Sequence, residues 1–155
     1  AYMSCIYNSD GDTSGNNVLH THEDTPMDVI ATFDDRRWQW HGGKPKHSII
    51  RHGDEQELKV SPTPGKDYWC RTFYDPVLIK TDAETYLAPV PAESEATLVT
   101  AFSLSPRSQF DQAGIMVLVD ESTWVKAGIE YTDGTPRLSC VVTNDGYSDW
   151  STQVW

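Results

Sequence analysis

The sequence predicts an all-β fold built from two packed antiparallel sheets. No segment of about twelve residues keeps a helical period, which leaves room for one short helical turn at most. Short stretches of β-branched and aromatic residues are instead separated by Gly, Pro, Asn and Asp at intervals of roughly eight to twelve residues. This spacing is typical of a sandwich of short strands.

The first part of the chain is predicted to contribute little regular structure. Residues 8–17 are rich in Ser, Asp, Gly and Asn, so residues 1–25 are expected to form an irregular or mobile segment. Residues 26–155 are expected to form a single domain, because a chain of 155 residues is long enough for one core. Between residues 25 and 57, turn formers interrupt the apolar residues and predict only short strands.

Four strands are predicted in the middle of the chain, and prolines separate several of them. They are Glu57–Ser61, Asp67–Tyr74, Val77–Lys80 and Thr97–Leu104. The last alternates apolar and polar residues, as a half-buried strand does. Residues 81–96 contain Pro89 and Pro91 and are predicted to be a connection.

A meander of three strands is predicted from Phe110 to Trp150. Ala113–Val119 is apolar on both faces, as a central strand covered on both sides would be. The strand Trp124–Tyr131 follows. Asp133-Gly134 is a hairpin signal that leads into a third strand ending at Thr143.

The strand that begins at Trp124 carries the most informative pattern. Because successive side chains of a strand point to opposite faces, Trp124, Lys126 and Glu130 share one face, and Gly128 leaves room above them. The opposite row is apolar and is expected in the core; it consists of Val125, Ala127, Ile129 and Tyr131. An indole, an ammonium and a carboxylate suit a polar ligand that lies across the strands. A solvated outer face is the alternative.

Composition excludes two classes of partner. The net charge of -11 repels nucleic acid, and the longest apolar run is too short to cross a bilayer. The three cysteines Cys5, Cys70 and Cys140 lack Cys-x-x-Cys spacing, and the chain has no N-glycosylation sequon. Both features favour a reducing compartment, so a cytoplasmic location is expected. No cofactor is predicted, and the sequence has no Gly-rich phosphate loop. Gly-x-Ser-x-Gly is also absent, so nothing in the sequence indicates nucleophilic catalysis.

Several motifs resemble a known family. They are Asp67-Tyr-Trp-Cys-Arg-Thr, Phe110-Asp-Gln-Ala-Gly-Ile-Met-Val, Trp124-Val-Lys-Ala-Gly-Ile-Glu-Tyr, Leu138-Ser-Cys-Val-Val-Thr and Ser148-Asp-Trp-Ser. From about Trp38 to its end, the chain resembles the regulation-of-enolase-like domain family of unknown function. The resemblance implies a concanavalin A-like lectin/glucanase jelly roll, a fold whose concave sheet often holds carbohydrate. Because it also implies about two further strand pairs, the domain is expected to be truncated after Trp155, and exposed strand edges would then favour a homo-oligomer.

The candidate ligand-binding residues lie on strands of the resembling region. They are Trp69, Arg71, Gln112, Trp124, Lys126, Glu130 and Trp150. Asp67, Trp69 and Arg71 share one face of their strand, so this face is expected beside Trp124 and Lys126. Arg71 would then bind an acidic sugar, or would instead bridge to Glu130 and fasten neighbouring strands. Trp150 is also a candidate for a core or edge position.

Catalysis and metal binding receive less support. A glycosidase needs a second carboxylate near Glu130, and only a neighbouring strand could supply it, through Asp67, Asp111 or Asp149. No catalytic residue is therefore assigned. His20 and His22 have a chelating spacing but lie in the segment predicted to be irregular, so no metal site is assigned.

Three functions from different classes remain open. The leading hypothesis is a lectin-like protein that binds a saccharide or a sugar-related small molecule on a concave sheet face. The second is a cytosolic regulatory protein that binds a metabolic enzyme such as enolase, and acidity together with free thiols agrees with it. The third is a glycoside hydrolase, which rests only on fold analogy and on Glu130.

Overall fold

A computed structural model describes residues 2–3, 30, 32–91 and 96–154 of the chain, and only the backbone of residues 2–3. These residues contain strands and turns but no helix. The strands are β1 (Tyr2–Met3), β2 (Gln39–His41), β3 (Lys46–His52), β4 (Glu55–Ser61), β5 (Tyr68–Cys70), β6 (Ile79–Thr81), β7 (Thr85–Leu87), β8 (Gln112–Asp120), β9 (Thr123–Thr132), β10 (Thr135–Asn144) and β11 (Tyr147–Val154). The predicted irregular segment, residues 1–25, lies almost wholly outside the described residues. His20 and His22 lie outside them as well.

The largest sheet is an antiparallel meander of four strands in the order β11-β10-β9-β8. The smaller sheets are β1-β7-β2, β3-β4 and β5-β6. Every pair is antiparallel except β1 with β7. The prediction of an all-β, antiparallel fold is confirmed. The jelly-roll strand order and the concanavalin A-like topology stay predictions.

Two tight turns determine the register of the meander. Asp133 and Gly134 have φ of 53° and 80°, and Asp145 and Gly146 have φ of 50° and 74°. Two consecutive residues with positive φ form the turn whose twist matches that of the flanking strands. The predicted Asp133-Gly134 hairpin is confirmed. The second turn adds β11, so the predicted three-strand meander has four strands.

The predicted strand from Asp67 to Tyr74 is wrong beyond Cys70. Arg71 and Phe73 have φ of 61° and 74°, in the left-handed region that ends an extended ladder. The strand is therefore reduced to the three residues of β5. The predicted strand 57–61 lies within β4, and the predicted strand 77–80 is shifted to β6.

Three other expectations need correction. The connection predicted for residues 81–96 contains β7, whose residues are all buried. Residues 97–104 form no ladder, although Leu98 and Phe102 are half-buried as the alternation predicts. The segment expected to be a central strand, now β8, lies at the end of the described sheet order, and Val117 and Val119 are 39% and 40% exposed.

The core lies between one face of the β8–β11 sheet and the segment that contains β5. Trp124 is 1% exposed, Met116 1% and Val141 2%. Tyr68 and Cys70 of β5 cover them, and the Tyr68 ring meets the Trp124 ring edge-on with 5.5 Å between centroids. We call this covered side of the sheet the inner face.

Candidate functional site

The inner face of the β8–β11 sheet is organised in rows that run across the strands. Strand pairing places residues of the four strands side by side, and alternation puts every second residue on this face. The rows are Leu118, Trp124, Thr143 and Ser148; Met116, Lys126, Val141 and Trp150; Gly114, Gly128, Ser139 and Thr152; and Gln112, Glu130, Arg137 and Val154.

The row of small residues forms a trough between two rows of larger side chains. Gly114 and Gly128 face each other across β8 and β9, and a Cβ on Gly128 would lie 2.1 Å from the Ala113 carbonyl oxygen and 2.6 Å from the Gly114 Cα. Neither position accepts a side chain without moving the backbone. A shallow notch lies here, with Gln112, Lys126 and Ser139 in its lining. It has room for about one water molecule, so it admits one hydroxyl or a similar small group of a larger ligand.

One wall of the trough holds Lys126, which is buried beneath Asp67. Lys126 is 4% exposed, and its Nζ donates to Asp67 Oδ1 at 2.9 Å. Gln112 Nε2 donates to the same oxygen at 3.1 Å, and the Tyr68 backbone N–H donates to it at 2.7 Å. Asp67 therefore spans the glycine row and fastens the start of β5 to the sheet.

The opposite wall holds Glu130, which accepts two hydrogen bonds. Ser139 Oγ donates to Glu130 Oε2 at 2.5 Å, and Trp150 Nε1 donates to it at 3.1 Å. Trp150 Nε1 also lies 3.0 Å from Ser139 Oγ. The Trp150 ring is 39% exposed and meets Phe110 edge-on with 6.3 Å between centroids. A half-exposed indole is thus held in one orientation beside a buried carboxylate.

Burial disfavours the charged forms of both ionisable side chains. Burial lowers the pKa of Lys126, and the attraction of Asp67 and its hydrogen bond oppose this effect. Burial raises the pKa of Glu130, opposed by the hydrogen bond from Ser139 and by the Lys126 charge. Lys126 also lines the notch, and a perturbed group in such a depression is typical of functional sites.

A further donor lies in the same row as Glu130. Arg137 is the cross-strand neighbour of Glu130 on β10. Its Nε is buried and has no hydrogen-bond partner among the residues that the structure describes. Buried polar atoms in folded proteins are almost always paired, so this donor stands out among the polar atoms of the row.

The structure brings together part of the predicted site. Gln112, Glu130 and Trp150 border the trough, as the alternation and strand order allow. Lys126 lies next to them but is covered by Asp67. Trp124 is a core residue, so its expected exposure on an open face is wrong.

The prediction of which face is buried is also wrong. The row that contains Trp124, Lys126 and Glu130 is buried, whereas Val125 and Ile129 are only half-buried. The physical reason is that β5 packs on the Trp124 side. Leu138 and Val142 of the outer face are 40% and 37% exposed.

Trp69 packs against the core, and Arg71 lies near the β10–β11 turn. Arg71 Nη1 donates to the Gly146 carbonyl at 2.9 Å, and its guanidinium lies 5.3 Å from the Tyr147 ring centroid. The alternative of an Arg71–Glu130 bridge is therefore wrong. The left-handed backbone at Arg71 ends the alternation on which that expectation depended.

The sequence reasoning missed three contributors to the trough. Ser139 and Arg137 follow from the β9–β10 register, which the Asp133-Gly134 hairpin signal could have supplied. Gly114 follows from the β8–β9 register. Asp67 was considered as a second carboxylate, but here its contacts are to Lys126 and Gln112.

The described residues hold neither a metal-binding cluster nor a membrane-spanning helix. No group of three or more His, Cys, Asp or Glu side chains in residues 30, 32–91 and 96–154 could hold a metal ion. Among the residues that the structure describes, no helix is long and apolar enough to span a membrane.

Comparisons with known proteins identify a family but no established activity. Residues 44–155 match the family described as "Protein of unknown function (DUF1349)". The chain is 45% identical over 112 residues to "Regulation of enolase protein 1" of Saccharomyces cerevisiae, which covers 72% of this chain and 52% of that protein. It is 30% identical over 104 residues to an uncharacterized protein of Emericella nidulans, covering 61% of this chain and 48% of that protein.

A solved structure shows a similar fold. The crystal structure of a functionally unknown protein from Saccharomyces cerevisiae has a TM-score of 0.53 and 31% sequence identity, covering 77% of this chain and 60% of that one. The chain spans about half the length of the curated relatives it matches.

Proposed function

We propose that this chain, which belongs to the regulation-of-enolase-like family of unknown function, is a binding domain for a saccharide or a sugar-related small molecule. The ligand would lie in the trough on the inner face, over the glycine row. The observation that carries the proposal is the fixed, half-exposed Trp150 ring beside the Glu130 carboxylate.

The chemistry of the trough suits a ligand with hydroxyl groups. A sugar ring offers an apolar face to an indole and hydroxyls to polar side chains. Trp150 supplies the indole, and Ser139 together with the Glu130 carboxylate that it contacts supplies polar groups. The notch admits a single hydroxyl group, so most of the sugar ring would lie above the glycine row and against Trp150.

Calorimetry with mono- and oligosaccharides, following a glycan array, tests the proposal. Trp150→Ala should weaken binding by at least about tenfold, because stacking and the hold on Glu130 are both lost. Val142→Ala is the matched control, since Val142 is 37% exposed on the outer face of the neighbouring strand. Equal binding by wild type and Trp150→Ala, or no binding by wild type, would overturn the proposal.

A second candidate function is regulation of a metabolic enzyme. It is favoured by the 45% identity to a protein named for regulation of enolase. Cys70 and Cys140 are free thiols, which agrees with the reducing cytosol that such a role requires. Calorimetry with purified enolase in excess free sugar separates the two candidates, because a protein partner would remain bound when sugar fills the trough.

Hydrolysis is not the function that the geometry favours. A glycosidase needs two carboxyl groups free to act on one bond. Asp67 instead accepts hydrogen bonds from Lys126 and Gln112, and Glu130 accepts from Ser139 and Trp150. Incubation with β-glucans followed by product analysis would detect the activity if it exists.

A further inference from the structure

A patch of exposed apolar side chains lies at the end of the sheet where Arg71 was found. Phe73 is 91% exposed, Val77 65% and Tyr147 60%. Together with Tyr74, which is 38% exposed, we call these residues the aromatic patch. Single exposed apolar residues are common on protein surfaces, but here the Phe73 and Tyr74 rings are in contact and Arg71, two residues before Phe73, lies over Tyr147. A group of exposed apolar side chains marks an interaction site.

The rings of the patch are held in defined orientations. Tyr74 lies between two other rings, with centroids 5.9 Å from Trp69 and 5.1 Å from Phe73, and both pairs are edge-on. Trp69 Nε1 donates to the Thr72 carbonyl at 2.8 Å. Phe73 has a φ of 74°, a conformation that bulky residues rarely adopt. The backbone therefore maintains an unfavourable conformation that points Phe73 into solvent.

The loop is also anchored to its neighbours. The Arg71 backbone N–H donates to the Leu78 carbonyl at 2.9 Å, which closes the loop. The Arg71 guanidinium donates to Gly146 and lies over Tyr147, and the Thr72 hydroxyl donates to the Ser148 carbonyl. Because these contacts exist before any partner arrives, little freedom of the loop backbone is lost on binding.

The charges around the patch select the class of partner. Asp75, Asp145 and Asp149 are exposed close to the patch in the chain, and these three carboxylates outnumber the exposed Arg71 guanidinium, which contacts Gly146 and Tyr147. The whole chain carries a net charge of -11. Like charge opposes a second copy of this chain and opposes an anionic membrane, while a basic surface is attracted.

From these contacts and charges, we propose that the aromatic patch is a docking surface for a protein partner with an apolar pocket surrounded by basic side chains. Phe73 enters the pocket, and Tyr74 and Tyr147 pack around it. The acidic rim pairs with the basic surround and orients the two proteins. Exposed aromatic side chains of this kind carry most of the binding energy at protein interfaces.

The proposal stands apart from the saccharide site. It uses residues outside the trough, so the loss of sugar binding would leave it unaffected. It deepens the second candidate function by naming the surface that a metabolic enzyme would contact. Of the whole proposal, only the choice of enolase as the first protein to be tested rests on the second candidate function.

The first test is calorimetry with purified enolase at low and at physiological salt. Phe73→Ser and Val77→Ser should each weaken binding by at least about tenfold, and salt should weaken wild-type binding. Val99→Ser is the matched control, since Val99 is 87% exposed outside the patch. Circular dichroism of each variant checks that the fold is retained. If enolase binds the Phe73→Ser variant as tightly as wild type, the docking surface is wrong while the second candidate function stands.

If enolase does not bind the wild-type chain, regulation of enolase is rejected as a function and a second experiment is needed. A photo-crosslinking residue at position 73 then identifies other neighbours in lysate, and each purified neighbour replaces enolase in the same comparison. A neighbour whose binding depends on Phe73 and on low salt supports the proposal. The proposal is overturned if no neighbour does so. It is equally overturned if Phe73→Ser abolishes only self-association in sedimentation or only binding to phosphatidylserine vesicles.

Discussion

The two ends of the inner face lie on the same four strands but have opposite character. At one end, Trp124 is 1% exposed and packs under Tyr68 and Cys70 of β5. At the other end, Trp150 is 39% exposed and borders a row of small residues. Trp150 lies one row away from Trp124 and shares its row with the buried Met116 and Val141, but it belongs to β11 at the end of the sheet order. Position across the strands, together with the row, therefore separates the core from the candidate site.

The difference shows that the covering segment, more than the strand pattern, decides what a residue does. The segment that covers the closed end begins at Asp67, whose carboxylate holds Lys126 and Gln112. On the far side of the glycine row, Ser139 and Trp150 of the sheet itself donate hydrogen bonds to Glu130. If the two ends differ in burial, substitutions at them should also differ in their effect on the free energy of unfolding.

The largest expected effect is the loss of the buried indole. Trp124→Ala should reduce the free energy of unfolding by about 3 to 5 kcal/mol, because a large cavity opens in the core. Trp150→Ala should reduce it by no more than about 1.5 kcal/mol, since the ring is half-exposed and mainly two hydrogen bonds are lost. Urea denaturation of both variants measures the difference. Equal losses would contradict the division of the face into two ends.

The two partners of the Lys126–Asp67 ion pair should differ in how much stability is lost when each is replaced. Asp67→Asn removes the anion beside the buried Lys126 ammonium and should cost about 2 to 3 kcal/mol. Lys126→Met keeps the volume and leaves an Asp67 that is 28% exposed and can be hydrated, so it should cost less than about 1.5 kcal/mol. Denaturant unfolding of the two variants checks the order. If Lys126→Met lost more unfolding free energy than Asp67→Asn, the unpaired Asp67 carboxylate would be the costlier of the two groups to leave without its partner.

The glycine row should tolerate no side chain. In Gly128→Ala the new Cβ would meet the Ala113 carbonyl oxygen at 2.1 Å, so β8 and β9 must separate, at about 1 to 3 kcal/mol. Thr152→Ala, at the exposed end of the same row, should change the unfolding free energy by no more than about 0.5 kcal/mol. Thermal and urea unfolding compare the two variants. A neutral Gly128→Ala would show that the strands are free to spread and that the trough has no fixed floor.

Alternation and turn chemistry predicted which residues share a face. Trp124, Lys126 and Glu130 lie on one face of β9, and the Asp133-Gly134 signal predicted the hairpin that brings Glu130 beside Arg137. Strand parity is a local property of extended backbone, so one sequence suffices to predict it.

The side of the sheet that becomes buried could not be predicted in this way. Burying Lys126 is expensive without a partner, and its partner Asp67 is 59 residues away in the sequence. The same limit applies to Arg71, because alternation assumes an extended backbone and Arg71 has a φ of 61°. Non-local packing therefore decided both the cover of the inner face and the separation of Arg71 from Glu130.

The smallest effect is the pH dependence that Glu130 contributes at the open end. Burial is the main reason that the pKa of folded Glu130 is raised above the ordinary 4.5, so the folded state holds the proton more tightly than the unfolded chain does. This contribution to stability is fully present below pH 4.5 and is lost as the pH rises through the folded pKa. Glu130→Gln keeps an oxygen to accept from Ser139 and Trp150 but does not titrate. Its stability relative to wild type should therefore increase with pH from acid to neutral conditions. Urea denaturation across this range measures the trend. A relative stability that falls with rising pH would mean that the Lys126 charge outweighs burial at Glu130, and the two ends would then form one electrostatic unit.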